Sequence, residues 1–299
     1  MKAATLVLTA IVSVQVAQFR AGVEAVRVDT LVIDAGLPVT GLTADDFELR
    51  DSGVVQTIES VAISDLPISL MIALDTSESV AGRTLRELKD GVGAAVAALR
   101  ESDRTALITF SGDVHLRADW GGSEAVRSAL AQVRATGTTS LWDASFAALT
   151  FSDQSPNVRR LVIVFSDGDD TSSWLSRTSA IEKARRTDAV VYAVEIRDAH
   201  TPRGRTLMNQ SGAHQYMDGV PTAERPFLEE LSQVSGGTRF RVDDVAELRK
   251  AFTRVLTEFR TRYQITYTAQ GVEQAGWHAL EVKLKTKRGK VIARRGYMR

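Results

Sequence analysis

The sequence predicts an α/β fold in which a doubly wound, mainly parallel sheet carries a smaller, discontinuous antiparallel β domain. Continuous apolar runs alternate with amphipathic segments after Pro67, as expected of buried parallel strands with helices on both faces. Both flanks, Val26 to Val61 and Tyr263 to Leu284, alternate apolar and polar residues with period two, which is the pattern of half-buried strands. With 299 residues, 44% of them hydrophobic, the chain can bury one large core and a smaller one.

Residues 1–18 read as an export signal. Lys2 supplies the charge, Ala4 to Val14 the apolar run, and Gln15-Val16-Ala17 a small residue for cleavage. That run is shorter than the roughly 20 apolar residues of a spanning helix, so the mature chain is expected to be secreted, periplasmic or in the cell envelope, with no membrane span. Residues 19–66 form the first part of the β domain: Val26, Val28, Leu31 and Ile33 bracket polar residues, and Ala35-Gly36 and Ser52-Gly53 supply turns. Thr43-Ala44-Asp45-Asp46 fits a helix-start box, which places Asp46-Phe47 on a short helical turn with the acidic pair as a cap.

The α/β domain is expected over residues 67–261. Its central strands are Ile68 to Leu74, Thr105 to Phe110, Leu161 to Phe165 and Ala189 to Ile196. Leu85, Leu88, Val92, Val96 and Leu99 repeat at helical spacing, as do Val245, Leu248, Phe252, Val255 and Phe259, each set marking one buried helix face. A polar stretch over residues 197–223 is long enough for a functional or mobile loop. Residues 262–299 return to alternating strands with a turn at Arg288-Gly289, and are expected to pack with residues 19–66 as the second part of the β domain. The basic run from Lys283 to Arg295 reads as the solvated face of a β hairpin.

Composition excludes several functions. Lys+Arg and Asp+Glu both number 37, so no overall field draws the protein to nucleic acid or an anionic membrane. Without cysteine there is no disulfide framework, thiolate zinc site or cysteine nucleophile. The four histidines, His115, His200, His214 and His278, lie in unrelated contexts, and neither a G-x-S-x-G elbow nor a phosphate-cradling G-x-x-x-x-G-K occurs.

Three segments offer oxygen ligands where such a sheet would gather them, outside the carboxyl ends of its strands. Asp75-Thr76-Ser77-Glu78-Ser79 follows the first central strand and alternates a carboxylate with two hydroxyls, a spacing that suits a hard divalent cation. Gly137-Thr138-Thr139-Ser140 leads into a helix, and Leu161 to Phe165 ends in Ser166-Asp167-Gly168. Trp142 and Trp174 follow the second and third of these loops; Trp142, opening a helix, is expected in the core, and Trp174 is open.

On these three segments the chain resembles the von Willebrand factor type A family, whose metal-ion-dependent adhesion site (MIDAS) joins a D-x-S-x-S loop, a threonine and an aspartate. The stretch Val39 to Leu49 and the ending Arg295-Gly296-Tyr297 further resemble the related domain group abundant in Acidobacteria. The resemblance implies that Ser77 and Ser79 coordinate the cation, Thr139 gives a third hydroxyl in preference to Thr138, and Asp75 and Asp167 act directly or through water. It implies Mg²⁺, with Mn²⁺ or Ca²⁺ as substitutes, and a protein partner that offers an Asp or Glu carboxylate. Glu78 departs from the family, which most often has a small residue there. The expected function is metal-dependent binding or adhesion without catalysis. The alternatives are a structural module of a cell-envelope assembly with a stabilising metal, and a phosphatase of the haloacid-dehalogenase kind using Asp167-Gly168-Asp169-Asp170-Thr171.

Overall fold

The computed structural model describes residues 25–196, 226–242, 245–285 and 288–299, together with the backbone of two short strands at 205–208 and 214–217. The expected export signal lies outside these residues, as does most of the polar stretch 197–223. The first strands are β1 (Ala25–Asp34), β2 (Leu37–Pro38), β3 (Phe47–Asp51), β4 (Val54–Gln56) and β5 (Ile58–Ile63). Then come β6 (Ile68–Asp75), α1 (Arg83–Ala97), β7 (Arg104–Phe110), β8 (Val114–Gly121), α2 (Ser123–Gln132) and α3 (Leu141–Asp153). They are followed by β9 (Arg159–Ser166), α4 (Arg177–Arg186), β10 (Val190–Ile196), β11 (Arg205–Met208) and β12 (His214–Met217). The chain ends with α5 (Phe227–Val234), β13 (Arg239–Val242), α6 (Val245–Arg260), β14 (Tyr263–Thr268), β15 (Trp277–Leu284), β16 (Lys290–Ala293) and β17 (Gly296–Met298).

Six strands form the central sheet in the order β13-β10-β9-β6-β7-β8. All neighbours are parallel except β8, which folds back antiparallel on β7. Every residue of β6 is buried, because successive side chains enter two different cores. Ile68, Leu70, Ile72 and Leu74 meet Leu88 and Val92 of α1 and Leu248 and Phe252 of α6. Met71 and Ala73 belong to the opposite core with Ala144 of α3, Ile181 of α4 and Leu231 of α5. This two-sided burial explains why the strand reads as an unbroken apolar run.

The sheet is mixed, which the apolar runs do not predict. Strand β8 escapes the sequence pattern because, as a sheet edge, it buries only Ala118 and carries His115, Arg117 and Asp119, typical protection for an edge. Strand β13 escapes it because it has only four residues.

Residues from both flanks form two antiparallel sheets. One has the order β16-β1-β14-β5 with β2 on β1, the other β17-β15-β3-β4. Val28 and Val32 of β1 and Tyr263, Ile265 and Tyr267 of β14 share a third apolar cluster with Phe47 and Leu49 of β3. The expected hairpin over the basic run is corrected: β15 pairs with β3 and β17, whereas β16 pairs with β1 in the other sheet. The chain therefore crosses between sheets after Leu284, and the alternation on both sides reports burial against one shared core. At Ala44–Asp46 a single 3-10 turn forms as expected, with the Asp46 carboxylate accepting from Thr43 N at 2.8 Å; Phe47 already belongs to β3.

Arginines link the antiparallel sheets to the α/β part. Buried Arg159 donates to the carbonyls of Ser64 and Phe259, both at 2.6 Å. Arg294 reaches Asp188 at 2.8 Å, and fully buried Arg262 bonds the Tyr192 hydroxyl at 3.2 Å.

Candidate metal centre

Strand β6 sits where the strand order reverses: the chain leaves it through α1 to β7 on one side, and β9 later adds on the other. The crevice outside the carboxyl ends at such a reversal is where open α/β sheets bind ligands. Asp75, the last residue of β6, is fully buried there. Its Oδ1 accepts from Ser77 N at 2.9 Å and Ser77 Oγ at 2.6 Å, and its Oδ2 from Ser166 Oγ at 2.8 Å. The Ser77 hydroxyl is also 3.0 Å from that of Ser79, which is exposed. Three of the predicted residues thus form one hydrogen-bonded cluster opening to solvent at Ser79.

Backbone bonds stitch the second loop to this cluster. Thr136 N donates to Thr76 O at 2.8 Å and Glu78 N to Gly137 O at 3.0 Å. Gly137 has φ 76°, a left-handed conformation that favours glycine. Thr139 is buried and Thr138 exposed. The Thr138 hydroxyl lies beside Gly112, where an added Cβ would approach it to 3.2 Å. The Glu78 side chain is exposed.

The third loop closes the arrangement. Asp167 is half-buried and follows Ser166, whose hydroxyl holds Asp75. Beyond it, Thr171 N and Ser172 N donate to Thr139 O at 2.8 and 3.0 Å, and Thr139 N donates to Thr171 Oγ1 at 2.9 Å. Asp170 accepts from Trp142 N at 3.1 Å at the start of α3, a helix-capping role. Sequence reasoning does not single out Ser166, Asp170 or Thr171 for these roles. The signal for Ser166 is its place between the apolar strand and Asp167; the other two act through contacts about thirty positions away, which spacing does not reveal. Trp142 is partly buried and packs edge-on against Phe227 at 6.4 Å between centroids, in the core as expected.

The electrostatics of Asp75 follow from its partners. Burial pushes its carboxyl up to about 6, against the lowering effect of the Ser77 and Ser166 hydrogen bonds, and the nearby Asp167 charge raises it further. Among the described residues the groups hydrogen-bonded to it are a backbone amide and two hydroxyls, so no basic side chain of these neutralises it directly. A buried carboxylate so placed is costly when ionised. An oxygen-ligated cation is the complement that this donor set fits. Among the described residues no group of three or more His, Asp or Glu forms a metal cluster, so a cation held here would rely on hydroxyls.

The von Willebrand factor type A domain family matches residues 69–254, more than half of the chain, and the protein belongs to that family. It is similar in structure to a von Willebrand factor type A protein from Catenulispora acidiphila, with a TM-score of 0.51 and 13% identity over 90% of this chain and 76% of that one. It is also similar to proximal thread matrix protein 1 from the mussel byssus, with a TM-score of 0.52 and 14% identity over 70% and 50% of the two chains. An aerotolerance-related membrane protein from Bacteroides fragilis matches at 18% identity and a TM-score of 0.49, over 64% of this chain and 98% of that one. At these identities the likeness is one of fold. No curated protein sequence matches the chain. Among the described residues no helix is long and apolar enough to cross a membrane.

Proposed function

We propose that this is an exported, non-catalytic binding protein that recognises an Asp or Glu carboxylate of a protein partner through a divalent cation, with Mg²⁺ the first choice. The observation that carries this reading is Asp75: fully buried, raised to about 6, and hydrogen-bonded by an amide and hydroxyls. In this reading Ser77, Ser79 and Thr139 hold the ion through their hydroxyls, and Asp75 and Asp167 do so directly or through water. With few direct carboxylates, a bound cation keeps residual positive charge that attracts an acidic ligand. Exposed Glu78 stands beside this position and tunes partner choice. We further propose that residues 19–66 and 262–299 form one β unit and residues 67–261 the inserted binding domain; the pairing of β1 with β14 and of β3 with β15 supports it.

Family membership supports an interaction module over the phosphatase alternative. A structural role for the antiparallel sheets, with a merely stabilising metal, is the remaining rival; it requires partner binding to survive chelator. Thermal unfolding in Mg²⁺, Mn²⁺, Ca²⁺ or chelator tests the metal reading, and a midpoint that moves with none of these ions would sink it.

A further inference from the structure

We propose that Trp174 is a second contact point on the binding face and seats an apolar side chain of the same protein partner; this rests on the carboxylate-binding reading above. Trp174 is 93% exposed. The other three tryptophans are engaged: Trp142 and Trp120 pack on the core beneath α3, and Trp277 lies under the Arg185 guanidinium at 5.7 Å.

The exposure of Trp174 is built into a clamped loop. Trp174 N and Leu175 N donate to the two oxygens of Asp143 at 2.9 and 2.8 Å. Just before them, the Ser173 hydroxyl bonds Asp170 at 2.5 Å and accepts from Trp142 N at 3.1 Å. Backbone on both sides of the indole is thereby fixed while the ring stands in solvent. A rigid aromatic side chain held this way gives up little freedom on binding, which is why tryptophan is enriched at interface hot spots.

Its position connects it to the candidate centre. Asp143 lies in the first turn of α3, and Thr139 closely precedes that helix. The loop carrying Trp174 is the one that carries Asp167 and is bonded to Thr139 through Thr171 and Ser172. One segment thus presents both a predicted cation ligand and the indole.

The exposed surface around the indole favours an apolar occupant. Both Asp143 oxygens accept backbone N–H groups, and Asp170 is occupied by Ser173 and Trp142 N. These carboxylates keep their charge, offset in part by the N-terminal end of α3, so the apolar choice rests on the indole itself and on its neighbour. Leu175, itself 36% exposed, extends the apolar surface. The partner motif is therefore a carboxylate with an aliphatic or aromatic residue at a fixed offset.

A displayed library of random heptapeptides, panned in Mg²⁺ on the full chain and eluted with chelator, tests this. Wild type is expected to enrich peptides that contain both an acid and an apolar residue. Trp174→Ala should bind those peptides at least tenfold more weakly and, when panned itself, keep the acid but lose the apolar preference. Thermal unfolding of that variant at the wild-type midpoint excludes a folding defect. If Trp174→Ala binds the selected peptides within twofold of wild type, the Trp174 proposal is overturned while carboxylate recognition stands. If wild type enriches no chelator-sensitive peptide, carboxylate recognition itself fails and the Trp174 proposal falls with it.

Discussion

Asp75 and Asp51 are both fully buried carboxylates at the ends of strands, β6 and β3, yet their surroundings are opposite. The oxygens of Asp51 meet His278 Nδ1 at 2.9 Å, Ser52 Oγ at 3.1 Å, and the hydroxyls of Tyr267 and Tyr297 at 2.8 and 2.9 Å. Burial alone would raise its carboxyl, but the donors Tyr267, His278 and Tyr297 outweigh that and hold it below the usual value. Around Asp75 the balance goes the other way: hydroxyl bonds do not compensate burial, and Asp167 adds like charge. The difference separates a carboxylate that completes a structure from one whose described partners are neutral, and the second is the one proposed above to face a cation.

Replacing Asp51 by Ala strands two buried tyrosine hydroxyls and the His278 nitrogen, each of which costs free energy when unpaired. Denaturant unfolding should register a loss of about 3 kcal/mol or more, the same with or without Mg²⁺. A change below about 1 kcal/mol would mean that the Asp51 cluster is not a structural counterpart of the Asp75 site.

Asp75→Asn should behave in the reverse manner. Wild type at about a hundred times the ion's dissociation constant gains roughly 2.7 kcal/mol; the variant should lose that response yet be no less stable than wild type in chelator at pH 7. If the Asp75→Asn protein still gains stability from Mg²⁺, the contrast between the two aspartates is erased.

Within the candidate centre, calorimetric titration of Mg²⁺ separates the two adjacent threonines. Thr139→Val is expected to weaken binding about tenfold, equivalent to about 1.4 kcal/mol, and Thr138→Val less than twofold. Equal effects would remove the argument from the burial of Thr139.

The pH dependence should carry opposite signs, each at most about 1.4 kcal/mol per pH unit for one group. Asp75 is raised in the folded state, so its contribution in chelator is full below the usual value of 3.8 and is lost as pH climbs through about 6. Asp51 is lowered, so its contribution is present above 3.8 and is lost as pH falls through its folded value. Comparing wild type with Asp75→Asn across pH 3 to 8 isolates the first slope. A difference that grows in favour of wild type with rising pH contradicts the assignment.

These two sites are unequally legible in the sequence. Asp75, Ser77 and Ser79 lie within five residues after a strand that announces itself by seven apolar or small residues, so the apolar run alone locates them. Thr139 and Asp167 require a resemblance to a known family, because only the sheet brings their loops together. The Asp51 cluster leaves no local trace: Tyr297 lies 246 positions away and His278 227, and nothing near His278 in the sequence points to its partner. The parallel strands are legible because burial on both faces is written in each strand. Strand β8 and the crossing between β15 and β16 are not, since pairing partners at an edge are set by topology.

The antiparallel register of β5 and β14 places Tyr263 opposite Ile63. The chain leaves this sheet and comes back to it on the same rung, where facing Cα atoms are about 5 Å apart. Everything between residues 64 and 262 is thus topologically an oversized hairpin turn. Loop-closure entropy grows only with the logarithm of length, about 0.6 kcal/mol per doubling, so an insert of this size still lets the rung close, while Arg262 and Arg294 add contacts to the insert that a short turn would lack.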